Sequence, residues 1–382
     1  MKKTFLLLLL SHTFVDFFMG IWPVYKTMAS IDIAMAGLIM GIAVFTGDIL
    51  QVGFGILSDR GHQKKLLVLG LLTSAAALFL TFTSGLWSVL ALMLLAMIGS
   101  SSFHPSALGL VNQFRNSKNN PVLLFSAFGT LGLALSQIVF IRFTNLFGGH
   151  AHPLIVPLII ILFFWLFHRL PTQQIEKKKF SLREFFTPFL AHKRSLILLY
   201  ITQVLCYGVL LAVMFMLPDI LQYKNSSPWL TWGGGHMCLI FGSMIGMLLF
   251  SSLSERIGYR KTLLGAILSS FILLNIFLFS PLPPGLLSTP FLAILGAALY
   301  LTTPVVISWG NKLVPESPST VSGLLMGLAW ALSSLVPGLS GFIANSFSTS
   351  PYTMTISLLS LLLIPSFFCI TLMPSLERKV YN

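Results

Sequence analysis

Runs of about twenty apolar residues, separated by short polar turns, recur along the whole chain and leave few folds open to it. A helix of that length satisfies its backbone hydrogen bonds internally and crosses a hydrocarbon layer of about 30 Å. Over 382 residues the chain is 55% hydrophobic and 9% charged, against about 25% charge in a soluble domain. A soluble enzyme is excluded, and an all-α polytopic protein embedded in a lipid bilayer is expected. The first span runs to about Tyr25. Others are expected at about 34–58, 66–84, 87–111, 121–144, 150–169, 195–221, 229–253, 262–280, 288–312, 320–346 and 351–373. These make twelve transmembrane helices.

Lys2 and Lys3 ahead of Phe5 to Leu10 imitate a secretory signal, but His12 and Asp16 interrupt the apolar stretch, so an uncleaved first span is the expectation. The net charge of +13 is explained by topology. With both termini cytoplasmic, only Lys26, Arg142 and Lys224 of the 23 Lys and Arg residues fall on the outer side, which leaves 20 inside. Such an excess of inner cations is the positive-inside pattern, so no nucleic-acid partner is implied. Cys206, Cys238 and Cys369 all lie in apolar runs. They give neither a disulfide framework nor metal-ligand spacing, so no metal is expected and packing roles are.

The one long polar stretch, Pro171 to Arg194, contains Lys177, Lys178 and Lys179 and then Ser181, Leu182, Arg183 and Glu184. Serine followed three residues later by glutamate fits a capping box, so this linker is either a short amphipathic helix on the inner surface or a solvated basic tether. It divides the chain into an N-terminal six-helix half, 1–170, a basic cytoplasmic linker, 171–194, and a C-terminal six-helix half, 195–382.

The halves repeat. After the second span the chain reads Gly55, Ile56, Leu57, Ser58, Asp59, Arg60, Gly61, His62, Gln63, Lys64 and Lys65. After the eighth it reads Ser251, Ser252, Leu253, Ser254, Glu255, Arg256, Ile257, Gly258, Tyr259, Arg260 and Lys261. This six-plus-six arrangement with a charged turn resembles the major facilitator superfamily, whose signature there is G-x-L-small-D-R/K-x-G-x-R/K-R/K. His62 stands where the first copy should have glycine, and Ser251 where the second should. A carboxylate among cations in a tight inner loop can tie helix ends into a network that breaks when the halves rock, which would make Gly55, Asp59, Arg60, Lys64, Lys65, Glu255, Arg256, Arg260 and Lys261 a gating loop. Ordinary positive-inside anchoring is the competing reading.

A narrower likeness lies in Ser11, His12, Thr13, Phe14, Val15 and Asp16 with Gly20 and Pro23, in Ser102, Phe103, His104 and Pro105, and in Leu313, Val314, Pro315, Ser322, Gly323 and Leu324. These resemble the fosmidomycin-resistance branch of bacterial major facilitators. The chain departs from it at Ser106, where the branch commonly has glutamate, and at Ser136 and Gln137, where proton-coupled exporters have G-P. The resemblance implies export of a small drug-like or phosphonate compound; a functional monomer in the bacterial inner membrane is expected.

A charge at mid-bilayer costs at least about 2.5–3.5 kcal/mol, so an ionisable residue there is paired, neutral or functional. His12 and Asp16 share one face of the first span, and Asp16 is the first candidate for proton binding; a structural His12 contact is the plainer alternative. Pro105 removes an amide donor and should kink span four among Ser100, Ser101 and Ser102, placing polar groups beside His104. That suits His104 to a polar substrate or to proton transfer, or to life as a satisfied core histidine. Asp48, three turns and about 16 Å from Asp59, is a second titratable candidate. Arg142 and Asp219 near outer helix ends are expected to anchor by snorkelling, and His236 to be peripheral. The pairs Gly129/Gly132, Gly242/Gly246 and Gly323/Gly327 are expected to pack helices closely.

Together these features predict a secondary active transporter with alternating access, proton-coupled through Asp16, His12 and His104. Uptake of a polar metabolite by proton symport is the alternative, and a non-transporting membrane sensor a more distant one. No cofactor is expected, and no Walker-type loop for ATP is present in the sequence.

Overall fold

The computed structural model describes residues 2–114, 121–168, 190, 192–250, 253–281, 288–315 and 318–374. The linker segment from Pro171 to Phe189, with its expected capping box, lies outside them. Every regular element among the described residues is helical. Ten helical runs are long and apolar enough to cross a membrane, and His152–Phe167 is a shorter apolar one.

The first run is α1, Lys2–Met19, then α2, Trp22–Met28, which starts at a proline-bearing turn. Next come α3, Ile33–Leu57, and α4, Gln63–Ser74, continued by a 3-10 stretch, Ala75–Phe82. Residues 33–82 count as one apolar run of 50 residues, but at 1.5 Å per residue a straight helix of that length would measure about 75 Å, more than twice a bilayer core. The run reverses at Gly61, whose φ of 93° and ψ of 7° suit a residue without a Cβ. Then follow α5, Leu86–Asn112, α6, Pro121–Leu146, and α7, Ile155–Phe167. Pro105 lies inside the unbroken α5.

After the linker come α8, Lys193–Tyr223, and α9, Gly235–Phe250, which is entered through a distorted turn at Leu230–Gly234. The short α10, Leu253–Ile257, leads through Gly258, φ 92°, into α11, Tyr259–Phe279. The left-handed glycine of the repeated loop thus sits at the signature position in the second copy. In the first copy it sits one residue earlier, at Gly61, which accounts for His62 standing in the glycine's usual place. α12, Ser288–Leu313, follows. The next run breaks into α13, Pro318–Gly323, α14, Ala329–Ser333, and α15, Leu335–Ala344, and the last into α16, Pro351–Ser360, and α17, Leu363–Thr371.

Two groups of helices pack internally, α1 to α7 and α8 to α17. Within each, glycine permits backbone-to-backbone contact. A Cβ on Gly132 would collide with the Thr13 carbonyl, and Cβ atoms on Gly242 and Gly296 would collide with the carbonyls of Ala293 and Leu239. The expected packing roles of Gly132, Gly242 and Gly246 therefore hold. Gly323 and Gly327 differ: a Cβ on either meets nothing within 4 Å.

One end of the bundle, the proximal end, holds the repeated loops. There Lys64 donates to the carbonyls of Leu166 at 3.0 Å and His168 at 2.8 Å, and Arg260 donates to the Thr371 carbonyl. The two groups meet at the opposite, distal end. A Cβ on Gly37 would lie 2.5 Å from the Pro337 carbonyl, one on Gly341 would collide with the Ile33 carbonyl, and one on Gly233 would lie 2.5 Å from the Ile138 amide nitrogen. At the proximal end Gly53 and Gly323 have open space beside them. The seam is thus closed at the distal end.

Replacing Gly132 by valine should overpack the α1 and α6 contact, since backbone cannot yield as a flexible side chain can. The expected loss is about 1–3 kcal/mol, measured by thermal unfolding in detergent, while Gly265→Val, facing open space, should leave the melting temperature unchanged.

Candidate functional site

His12 and Asp16 lie four residues apart on α1, and α5 brings His104 against both. His104 Nε2 is 3.1 Å from Asp16 Oδ1, His12 Nε2 is 3.3 Å from Asp16 Oδ2, and the two Nε2 atoms are 3.2 Å apart. Each ring is held from behind. His12 Nδ1 is 2.8 Å from the Phe125 carbonyl and His104 Nδ1 is 2.8 Å from the Ser100 carbonyl. A carbonyl only accepts, so both Nδ1 atoms carry protons and a neutral ring presents a lone pair at Nε2. Phe125 stacks on His12 with centroids 3.9 Å apart.

Gly129 makes room for this triad: a Cβ there would collide with His12 and Asp16. Its expected role in helix packing is therefore incomplete, because the missing side chain also accommodates two polar ones. His12 is closed off, at 7% side-chain exposure, whereas Asp16 and His104 are 22% and 29% exposed. Asp16 and His104 are thus the partly exposed members of the triad. Asp48 is buried, accepts from Gln51 Nε2 at 2.8 Å, and lies within electrostatic range of His104.

The second group contributes residues that the sequence reading did not single out. Tyr300 and Tyr207 lie within electrostatic range of Asp16, and Tyr207 also of Asp48. Tyr207 stacks on Trp330 at 5.0 Å. Gln203 donates to Thr303 at 3.1 Å. The signal was faint: a tyrosine in an apolar span is as much a packing residue as a polar one.

At the distal seam two expectations are corrected. Asp219 does not snorkel; it is buried and pairs with Lys26, while Thr27 Oγ1 donates to it at 2.8 Å. Lys26, also buried, sits 4.7 Å over the Phe215 ring. A helix end on the seam faces protein rather than water, so both charges had to find partners. His236 is not peripheral either: it is buried and its Nε2 bonds the Leu133 carbonyl at 3.0 Å across the seam. Arg142 is exposed, as anchoring requires.

In the repeated loops, Asp59, Arg60, Lys65, Arg256 and Lys261 are exposed, and the Glu255 side chain lies outside the described ones. Among the described residues no ion pair involves Asp59; the cations that are engaged, Lys64 and Arg260, cap helix C-termini, where the backbone carbonyls carry partial negative charge. Lys64 thereby joins α4 to α7, and Arg260 joins α11 to α17, at matching places in the two groups. His168, beside Lys64, bonds Thr4 at 2.8 Å.

A helical membrane protein with two packed groups, a seam closed at one end and a polar triad beside it defines a narrow class. The model of the Major Facilitator Superfamily matches residues 4–337, and the chain belongs to that family. It is 30% identical over 140 residues to the uncharacterized MFS-type transporter YfnC of Bacillus subtilis (strain 168), covering 37% of this chain and 32% of that protein. It is 23% identical over 234 residues to the inner membrane transport protein YajR of Escherichia coli (strain K12), covering 58% and 50%. The matched part thus spans half or less of these relatives. In fold the chain is similar to a bacterial homologue of the human lysosomal transporter Spinster, solved inward-facing and occupied, with TM-score 0.76 and 16% identity over 97% of this chain and 96% of that one. It is also similar to the nucleoside transporter NupG, with TM-score 0.73 and 13% identity over 97% and 98%.

Removing one member of the Lys26 and Asp219 pair leaves a buried charge without a partner. Lys26→Met or Asp219→Leu alone should cost about 3–5 kcal/mol, and the double variant should recover most of it, read from thermal unfolding of the four proteins. Additive losses would place the two charges in water rather than against each other.

Proposed function

We propose that the chain is a secondary active transporter that moves a small polar or drug-like solute by alternating access between two six-helix halves, 1–170 and 195–382, coupled to protons through Asp16, His12 and His104. Taking the two arms of the 33–82 run separately and adding His152–Phe167 to the ten apolar runs gives the twelve crossings of this reading. The proximal end is the cytoplasmic one, carrying both termini and most cations, in the inner membrane of a bacterium.

One observation carries the reading: a partly solvent-exposed cluster of titratable groups stands in a bundle whose two groups are shut against each other at the distal end. Three lone-pair-bearing groups converge there within 3.3 Å. At least one proton must sit among them to relieve the repulsion, and whether it stays depends on which side the site faces. Rocking the halves would separate Lys26 from Asp219 and open the distal end. Tyr207, Trp330 and Tyr300 would face the solute from the second half. Efflux follows the likeness to the fosmidomycin-resistance branch, and the protein acts as a monomeric antiporter conferring drug resistance.

Asp16→Asn keeps the side chain's shape but cannot exchange a proton. In proteoliposomes, transport driven by an imposed pH gradient should fall to background, while exchange of labelled solute without a gradient survives. Full gradient-driven transport by this variant would remove Asp16 from the coupling step and leave Asp48 as the remaining buried carboxylate of the first half.

A further inference from the structure

The triad has a geometry that a proton alone does not require. Both imidazoles are fixed by backbone carbonyls through Nδ1, which turns both Nε2 atoms towards the Asp16 carboxylate, and the ligand atoms of the three residues, brought from two helices, all lie within 4.8 Å of one another. Histidines that hold metals usually donate the other ring nitrogen to a carbonyl or carboxylate, which sets the tautomer and aims the lone pair. His12 and His104 both have that support.

The distances fit a metal as well. Around a tetrahedral zinc ion with bonds of about 2.0–2.1 Å, neighbouring ligand atoms lie about 3.3 Å apart. The two Nε2 atoms are 3.2 Å apart, and each has a different carboxylate oxygen of Asp16 at a comparable distance, His104 with Oδ1 at 3.1 Å and His12 with Oδ2 at 3.3 Å, so a small turn of the carboxylate brings one oxygen to both. The two ring centroids are 5.0 Å apart with planes at 81°, and two imidazoles bound to one tetrahedral ion would have centroids roughly 5 Å apart. The donor set of two nitrogens and one carboxylate oxygen suits zinc and its first-row neighbours, not magnesium or calcium, which take oxygen. The exposed edges of Asp16 and His104 leave one side of the triangle open to water.

We propose that His12, Asp16 and His104 form a binding site for a divalent first-row transition metal ion, with zinc the best match and its fourth coordination position open to the aqueous gap. The proposal goes beyond proton-coupled transport and rests on ligand geometry alone. It gives the site a chemical class of ligand that a carboxylate acting only as a proton carrier would lack. It also gives His104 a stated role, that of the ligand supplied by α5.

Cobalt(II), which reports its coordination by visible absorption, is the probe. Titrating it into the purified full-length protein in detergent should yield one equivalent bound per chain, with absorption of tetrahedral strength that zinc abolishes by displacement. His12→Ala, Asp16→Asn and His104→Gln should each weaken binding at least about tenfold. Zinc should raise the melting temperature of the wild-type protein but not of Asp16→Asn, which guards against a variant that has lost its ligand only by misfolding. Absence of stoichiometric cobalt binding by the wild-type chain would overturn the proposal, as would binding that survives unchanged in all three variants. Loss of gradient-driven transport in Asp16→Asn, together with no cobalt binding by the wild type, would overturn the metal site and leave proton coupling standing.

Discussion

An ionisable group inside a hydrocarbon layer must be paired, neutral or bathed by water that reaches it through the protein. Most features of this structure follow from that constraint. The His12, Asp16 and His104 triad joins α1 to α5, while Lys26 and Asp219 join α2 to α8 across the seam. Neither cluster is placed to strengthen a core, since apolar residues of the same volume would serve stability as well or better. One lies where the two groups are shut against each other, and the other is a partly exposed cluster of titratable groups.

Glycine makes the close contacts possible. The Gly132 and Thr13 contact, the Gly242 and Ala293 contact and the Gly37 and Pro337 contact bring backbones together, and in lipid such packing replaces the hydrophobic drive available in water. Contacts within each group of helices are rigid in this sense. Those at the distal seam use the same chemistry but lie between the groups. The cap that Lys64 places on α7 and the one that Arg260 places on α17 keep the proximal ends of each group together as a unit. The repeated loops thus act inside each group as helix ties, whatever part they take in gating.

The spans were legible because twenty apolar residues admit little else, and their ends fell within a few residues of the helices found. His12 and Asp16 were legible as a pair from helical spacing, and His104 from the proline that follows it. The imidazole anchors were not legible, since the Phe125 carbonyl lies 113 residues from His12 and a carbonyl has no sequence signature. Asp219 was misjudged for a physical reason: snorkelling assumes water at a helix end, and on the seam that water is replaced by Lys26 and Thr27. Gly129 was read as a packing glycine, yet what it packs against is the triad. The shift of the left-handed glycine to Gly61 could be read from the sequence only once the turn's geometry was known.

The proposed alternating access requires that the two groups of helices move as bodies about this seam, opening one end as the other closes. Pulsed electron paramagnetic resonance in nanodiscs tests it directly, with spin labels on Ile31→Cys and Ser346→Cys at the distal end and, in a second protein, on Gly53→Cys and Gly323→Cys at the proximal end, both in a background lacking Cys206, Cys238 and Cys369. The account predicts two distance populations in each protein, shifting reciprocally between low and high pH so that a longer distal distance accompanies a shorter proximal one. A single unchanging distance at both ends, or both ends widening together, would contradict it.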